Sequence, residues 1–416
     1  MPRALLVLTR DPSGRMTGRK TVLATAADSL EAIGYTVDVV VLARDVPPAQ
    51  WQSRAVTHVP LPALPRVAVS ALGALTARKR SLNESLFVSR RTRAAVAAAA
   101  ARGERPAVVV ADSLRTLALA QATGAPVLVH LDDLLSERYT ARAEGAASGD
   151  VLGYFAQQLP RAAAAPARAV ARRLLRTEAR LLHAREDDAA REAAVVATTS
   201  QQDADTLARR SGRSVFALPM AVRADDDIVD PATVVPTSFA FLGYLDYAPN
   251  IAALRWWRDE VRPALDRLGG GDVTLTAIGH GEDAVLAELR AAGIHVTGYV
   301  DDLVAELRRH RGFVAPVTDG MGVKTKVLDA LAVGLPVVGT TLGLAGVGAE
   351  PGRDVLVADD PEDFARAVLR LRDDAALAAV LGRAGHALVR DTWSPEAIAR
   401  RWAAALTSVS THPPMP

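Results

Sequence analysis

The stretch DGMGVKTKVLDALAVGLP, Asp319–Pro336, decides how the chain is read. Gly320 and Gly322 bracket Met321 just after an apolar run, Gly312 to Pro316. Val327, Leu328, Leu331 and Ala332 then recur at helical spacing, which predicts a helix from near Val323. Gly334 stops that helix and Pro336 opens another apolar run. Strand, glycine loop, helix and strand in this order build a parallel α/β sheet. The K-T-K inside the stretch is unusual. The chain has 49 Lys plus Arg, yet only Lys20, Lys79, Lys324 and Lys326 are lysine. The first turn of a helix carries unpaired N–H groups and a positive dipole end, which disfavours each cation by about 0.3–1 kcal/mol. Two lysines there fit a bound anion, and phosphate is the natural one. Lysine also delivers a compact point charge without a guanidinium's planar geometry.

The same alternation runs through the rest of the chain. Leu5 to Leu8 reads as a buried strand, RDPSGRMTG as a loop, Thr21 to Ile33 as a helix capped by Gly34, and Thr36 to Leu42 as the next strand. Ala107 to Ala111, Pro126 to His130, Ala194 to Thr198 and Val215 to Leu218 continue the series. Between His130 and Ala194 lies a helical stretch rich in Ala and Arg, with Leu174, Leu175, Leu181 and Leu182 on one face. Its arginines describe a solvated face, or a basic surface for anionic headgroups. The acidic, proline-containing segment Ala224 to Thr237 reads as a linker. A second α/β series follows it. Its strands are Phe239 to Leu242, Val273 to Ile278, Ile294 to Thr297, Gly312 to Pro316, Pro336 to Gly339 and Asp354 to Val357, with a helix from about Ile251 to Leu265. The expected fold is α/β: two Rossmann-like domains, 1–223 and 236–393, facing each other across a cleft at the carboxyl ends of their strands. A last helix, about 394–410, with Ser394 as N-cap and Pro395 at its first position, is expected to cross back to the first domain.

Composition narrows the function. A chain of 416 residues is long enough for two cores. It has no cysteine, so thiol catalysis, disulfides and cysteine metal sites are excluded. A formal net charge of +2 does not describe a nucleic-acid binder. No apolar run reaches the roughly 18 residues of a membrane span, and the N-terminus lacks a signal peptide's apolar core. These features point to the cytoplasm, with contact to the inner membrane face through the Arg-rich helix as a further option.

FLGYLDYAPN, GYVDD, DGMGVKTKVLDALAVGLPVVGT and DVLVADDPEDFARAV occur in this order from Phe241 onward. Together they resemble the nucleotide-sugar half of retaining GT-B glycosyltransferases of the group-1, or family-four, type, over about Ser238 to Trp402. The Y-x-P-N at Tyr247–Asn250 and the G-x-G-x-K-x-K at Gly320–Lys326 are similar to one subfamily. The resemblance implies transfer of a sugar from a nucleotide diphosphate to a hydroxyl acceptor, with retention, without a cofactor and without a metal ion. The partners implied are a nucleotide sugar and a hydroxyl-bearing glycan, lipid-linked glycan or natural product, as in glycan or glycoside biosynthesis.

The resemblance also implies a site. Asp329 stands where the family usually has a glutamate touching sugar or ribose hydroxyls. The family's earlier glutamate falls near Met321 or at Asp319. The Arg and Lys that commonly neutralise the diphosphate are replaced by Tyr244 and Asn250, so Lys324 and Lys326 become the relocated clamp, with Lys326 the closer match. Asn250 either caps the following helix or contacts the donor. Gly14 would let the first loop approach the acceptor or the donor phosphate, Gly279 and Val300 sit at strand ends where the fold holds base and ribose, and Gly320, Met321, Gly322 and Val323 surround the phosphates. His130 closes PVLVHLDD at the end of a strand, where the family often has a histidine beside the reacting sugar. The catalytic candidates are thus His130, Asp329 and Lys326. Asp133 reads as a helix cap, and His280, Thr340 and Thr341 as turn residues. Three other functions stay open: a nucleotide-sugar epimerase or hydrolase, a non-catalytic partner protein on the same fold, and a dinucleotide oxidoreductase. The last is disfavoured because DPSGRMTG lacks G-x-G-x-x-G.

Overall fold

The computed structural model describes residues 1–13, 18–61, 81, 84, 86–144, 161–320 and 322–408. Gly14 and Met321, both candidate site residues, lie outside them. The chain forms two compact units. Among the described residues, one holds those up to Ala221 together with those from Pro395, and the other runs from Val222 to Ser394.

Among the described residues, the first unit has an eight-stranded sheet in the order β3-β4-β2-β1-β5-β6-β7-β8. Its strands are β1 (Arg3–Leu8), β2 (Thr36–Ala43), β3 (Gln50–Trp51), β4 (Arg54–Pro60), β5 (Val108–Asp112), β6 (Val127–His130), β7 (Val195–Thr198) and β8 (Phe216–Ala217). All pairings are parallel except β3 with β4. Parallel strands are covered by helices on both faces, so they read as unbroken apolar runs, and β5, β6 and β7 are buried throughout. Strand order reverses between β1 and β5. The last helix, Pro395–Thr407, belongs to this unit. Its Ile398, Trp402, Ala405 and Leu406 join the core formed by β1, β2 and the helix Gly18–Ala32.

The second unit has a wholly parallel six-stranded sheet among its described residues, in the order β11-β10-β9-β12-β13-β14. The strands are β9 (Ser238–Leu242), β10 (Thr274–Ile278), β11 (His295–Gly298), β12 (Gly312–Ala315), β13 (Val337–Gly339) and β14 (Leu356–Val357). Here the order reverses between β9 and β12, which makes their carboxyl ends the crevice where such sheets bind ligands.

Three expectations change. The segment read as a linker is docked on the second unit: Val229 is buried, Asp225 pairs with Arg308 at 2.8 Å, and the break between units falls at Ala221/Val222. The helix expected over Ile251 to Leu265 is interrupted. Ala248–Trp256 widens into a π turn, Trp257–Val261, before Arg262–Arg267. Pro263 has no N–H and its ring would strike the carbonyl four residues back, so the turn ahead of it opens. The helix of the opening stretch is Thr325–Ala332, two residues later than expected, with Lys324 in the N-cap position.

Candidate functional site

The second unit gathers most of the predicted residues at the crevice between β9 and β12. The loop after β12 turns through Gly320 and Gly322, with φ of 113° and 78°, values a side chain at either position would resist. A Cβ on Gly320 would also sit 3.3 Å from Pro249, so this loop rests on the Y-x-P-N segment after β9. No side chain caps the helix Thr325–Ala332.

The two lysines do different things. Lys324 is buried, and its Nζ donates to the carbonyls of Gly320 (3.1 Å) and Gly322 (3.0 Å), stapling the glycine loop to the helix start. Burial lowers its pKa, against the opposing pull of Asp319. Lys326 Nζ lies 4.3 Å from the ring centre of Phe241 and donates to Oδ1 of Asn250. Burial first, and the Lys324 charge second, bring the Lys326 ammonium down to about 7. Asn250 in turn donates from Nδ2 to the Tyr244 carbonyl at 2.7 Å. It therefore links the loop after β9 to the lysine. It is not a helix cap, because the helix begins at Ala248 with Tyr247 in the cap position.

Asp329 follows Lys326 by one turn and is half-buried. Burial alone raises its carboxyl to about 6, with no cation offsetting it. A buried carboxylate without a partner is expensive unless a ligand supplies hydrogen bonds. Gly279, at the end of β10, is required by contact: a Cβ there would lie 1.9 Å from the Gly243 carbonyl oxygen. Gly279 N–H donates to the Gly298 carbonyl at 3.0 Å, which joins the ends of β9, β10 and β11 in one rim. Tyr244 meets His280 along that rim with 4.8 Å between ring centres and the rings tilted by 47°, and Tyr299, next to Gly298, is exposed. Val300 and Val323 turn their side chains to the core. The hydroxyls of Thr340 and Thr341 are committed to the Val317 carbonyl (2.5 Å) and Asp359 (2.7 Å), as turn residues.

His130 lies in the first unit, at the carboxyl end of β6, in a cluster that sequence did not reveal. Its Nε2 donates to the Leu218 carbonyl at 2.8 Å. Its Nδ1 therefore accepts, facing the Asp132 N–H and Arg19 Nη1, each at 3.3 Å. The ring stacks on Trp402, 6.3 Å between centres. Burial, then the Arg19 charge, lower His130 to about 4. Arg19 also pairs with Asp112, which accepts from Thr9 N–H (3.0 Å) and Thr9 Oγ1 (2.7 Å), and with Asp132 at 3.1 Å. For Asp112 burial raises the pKa, but Arg19 and Thr9 outweigh it and hold the carboxyl at about 2. Ser113 and Asp132 adopt φ of 73° and 71° at the ends of β5 and β6, a strained backbone for non-glycine residues. Asp133 pairs with Arg138. The one sequence signal for this cluster was polar residues ending apolar strands.

Residues 236–374 match the family described as Glycosyl transferases group 1. An uncharacterized 44.6 kDa protein in the cps region of Klebsiella pneumoniae is 30% identical over 138 residues, 31% of this chain and 35% of that protein. The match thus spans about a third of that relative's length. Over the whole chain, the fold is similar to that of sucrose-phosphate synthase from Thermosynechococcus elongatus, with 16% identity, TM-score 0.66, and 99% and 100% of the two chains covered. HepE of Anabaena, solved in complex with UDP and glucose, is similar at 14% identity and TM-score 0.63, covering 97% and 99%. TarM is similar at 9% identity and TM-score 0.63, covering 98% and 99%. The chain has the GT-B fold, two Rossmann-like units.

Proposed function

We propose, for a chain of GT-B fold whose residues 236–374 match the group 1 glycosyltransferase family, that it moves a sugar from a nucleoside diphosphate to a hydroxyl acceptor with retention. The observation that carries this reading is the junction of glycine loop and helix after β12. It holds a buried ammonium, Lys326, and a partnerless buried carboxylate, Asp329, one turn apart at a sheet's switch point. The ammonium and the uncapped helix end suit a diphosphate. The carboxylate suits hydroxyls of the sugar or ribose. Asp319, Gly320, Gly322 and the rim at Gly279 and Val300 complete the donor side.

In the step proposed, the bond from the sugar's anomeric carbon to the diphosphate oxygen breaks. The acceptor oxygen bonds to the same face, and its proton passes to the departing diphosphate. Charge grows on that diphosphate in the transition state, and Lys326 gains its proton most firmly there. Lys324 acts by holding the loop. His130 acts as a positioning residue, because both ring nitrogens are engaged within its own unit. Metal-free transfer is part of the proposal, with the Lys326 ammonium meeting the diphosphate charge.

The experiment is a panel of nucleotide sugars tested by thermal shift, followed by NMR of the product's anomeric proton. A donor raises the melting temperature with its concentration. No shift from any nucleotide sugar would end the donor reading, and an inverted product would end retention.

A further inference from the structure

A cavity of about 490 Å³ lies within the first unit, between the helices Leu135–Glu144 and Arg161–Glu192. The shorter helix lines it with Thr140, Ala143 and Glu144, and the longer with Arg176, Arg180 and His183. Arg176 and Arg180 are one turn apart, so their guanidinium groups share a face. Among the described residues neither has a carboxylate partner. Other arginines of this region do: Arg185 pairs with Glu84 (3.0 Å), Arg191 with Asp188 (2.8 Å) and Arg210 with Glu186 (2.8 Å). Two permanent positive charges therefore face a concave space against one lining carboxylate, Glu144.

His183 closes one end: its Nδ1 accepts from Arg210 Nη1 at 3.1 Å, and its Nε2 faces Asp187 at 4.0 Å. The Thr140 hydroxyl donates to the Ser136 carbonyl at 2.9 Å and keeps its acceptor capacity. Ala143 is buried and leaves its side of the wall apolar.

The geometry points to a binding site for a phosphate ester: Arg176 and Arg180 fork onto the phosphoryl oxygens, and the apolar wall covers the carbons of the esterified alcohol. As the anchor of a phosphorylated acceptor it rests on the transferase reading, but the binding itself does not. The ester can come from a soluble phosphorylated sugar or polyol, or from a lipid headgroup. The residues lining the cavity belong to the first unit and the lysine clamp to the second.

The test uses the full chain with excess UDP present to fill the donor site. Glycerol 3-phosphate is titrated by calorimetry, and vesicles of phosphatidylglycerol or phosphatidylcholine are co-sedimented in parallel. Saturable binding of glycerol phosphate identifies a soluble ester. Sedimentation with the anionic vesicles alone identifies a headgroup. In either case Arg176→Ala/Arg180→Ala should weaken binding at least tenfold, and the double Lys variant should restore part of it. Arg172→Ala/Arg173→Ala, which removes two exposed charges that do not line the cavity, should leave it within about twofold. The inference is overturned if neither probe binds, if the cavity variant binds like wild type, or if the control pair weakens binding equally. Failure of UDP to bind, with glycerol phosphate binding intact, would strike the donor reading and leave this one standing.

Discussion

If Lys326 holds the diphosphate, binding must carry a proton. The free side chain titrates near about 7, because burial and Lys324 disfavour its charge. A dianionic ligand beside it restores the ordinary lysine range, near about 10.4, or higher. The bound state then keeps the proton at pH values where the free state has lost it. Uptake should be about half a proton at pH 7 and close to one at pH 9, since the terminal phosphate, with a pKa of about 6, is already ionised there. Between pH 7 and pH 9 the dissociation constant for UDP should rise about fifty-fold, or ~2.3 kcal/mol. Calorimetry in two buffers of different ionisation enthalpy reads both quantities. Lys326→Met should bind weakly, with a flat profile and no uptake over that range. Lys324→Ala should loosen the loop and keep proton uptake but shift it to higher pH, because burial alone then holds Lys326 down. A wild-type protein with constant affinity and no uptake between pH 7 and 9 would refute the clamp.

Two further outcomes follow from the buried charges. Asp329 is raised to about 6 from an ordinary value near about 3.9, so its contribution to stability is full below about pH 4 and is lost as pH rises through 6. Asp329→Asn should therefore stabilise the protein by about 2–3 kcal/mol above pH 6, much less near pH 4, while lowering transfer. Equal melting temperatures at neutral pH would show that the carboxylate is not an unpaired buried charge. Arg19→Met should cost about 3–5 kcal/mol in urea unfolding, because it strands Asp112, and adding Asp112→Leu should recover part of that. A loss under about 1 kcal/mol would make the cluster a surface ion pair in energetic terms.

Sequence alone determined the sheet-and-helix order, because parallel strands covered on both faces must be continuous apolar runs, and glycine must follow a helix that ends in a left-handed residue. Gly334, with φ of 76°, and the buried runs of β5, β6 and β12 met those local demands. Sequence also singled out Lys324 and Lys326, through the rarity of lysine in an arginine-rich chain. It could not separate their roles. Which ammonium turns back on its loop and which meets Asn250 depends on Pro249 and Asn250, more than seventy residues away, being carried to the same strand ends. The Arg19–Asp112–His130 cluster was illegible for the same reason. It joins a helix start to the ends of two strands and to Trp402 near the far terminus, and the positive φ of Ser113 and Asp132 follows from no local sequence rule. Burial decided the rest. A side chain's pKa depends on what closes over it, and only the tertiary structure brings Phe241 beside Lys326 and leaves Asp329 without a counter-charge.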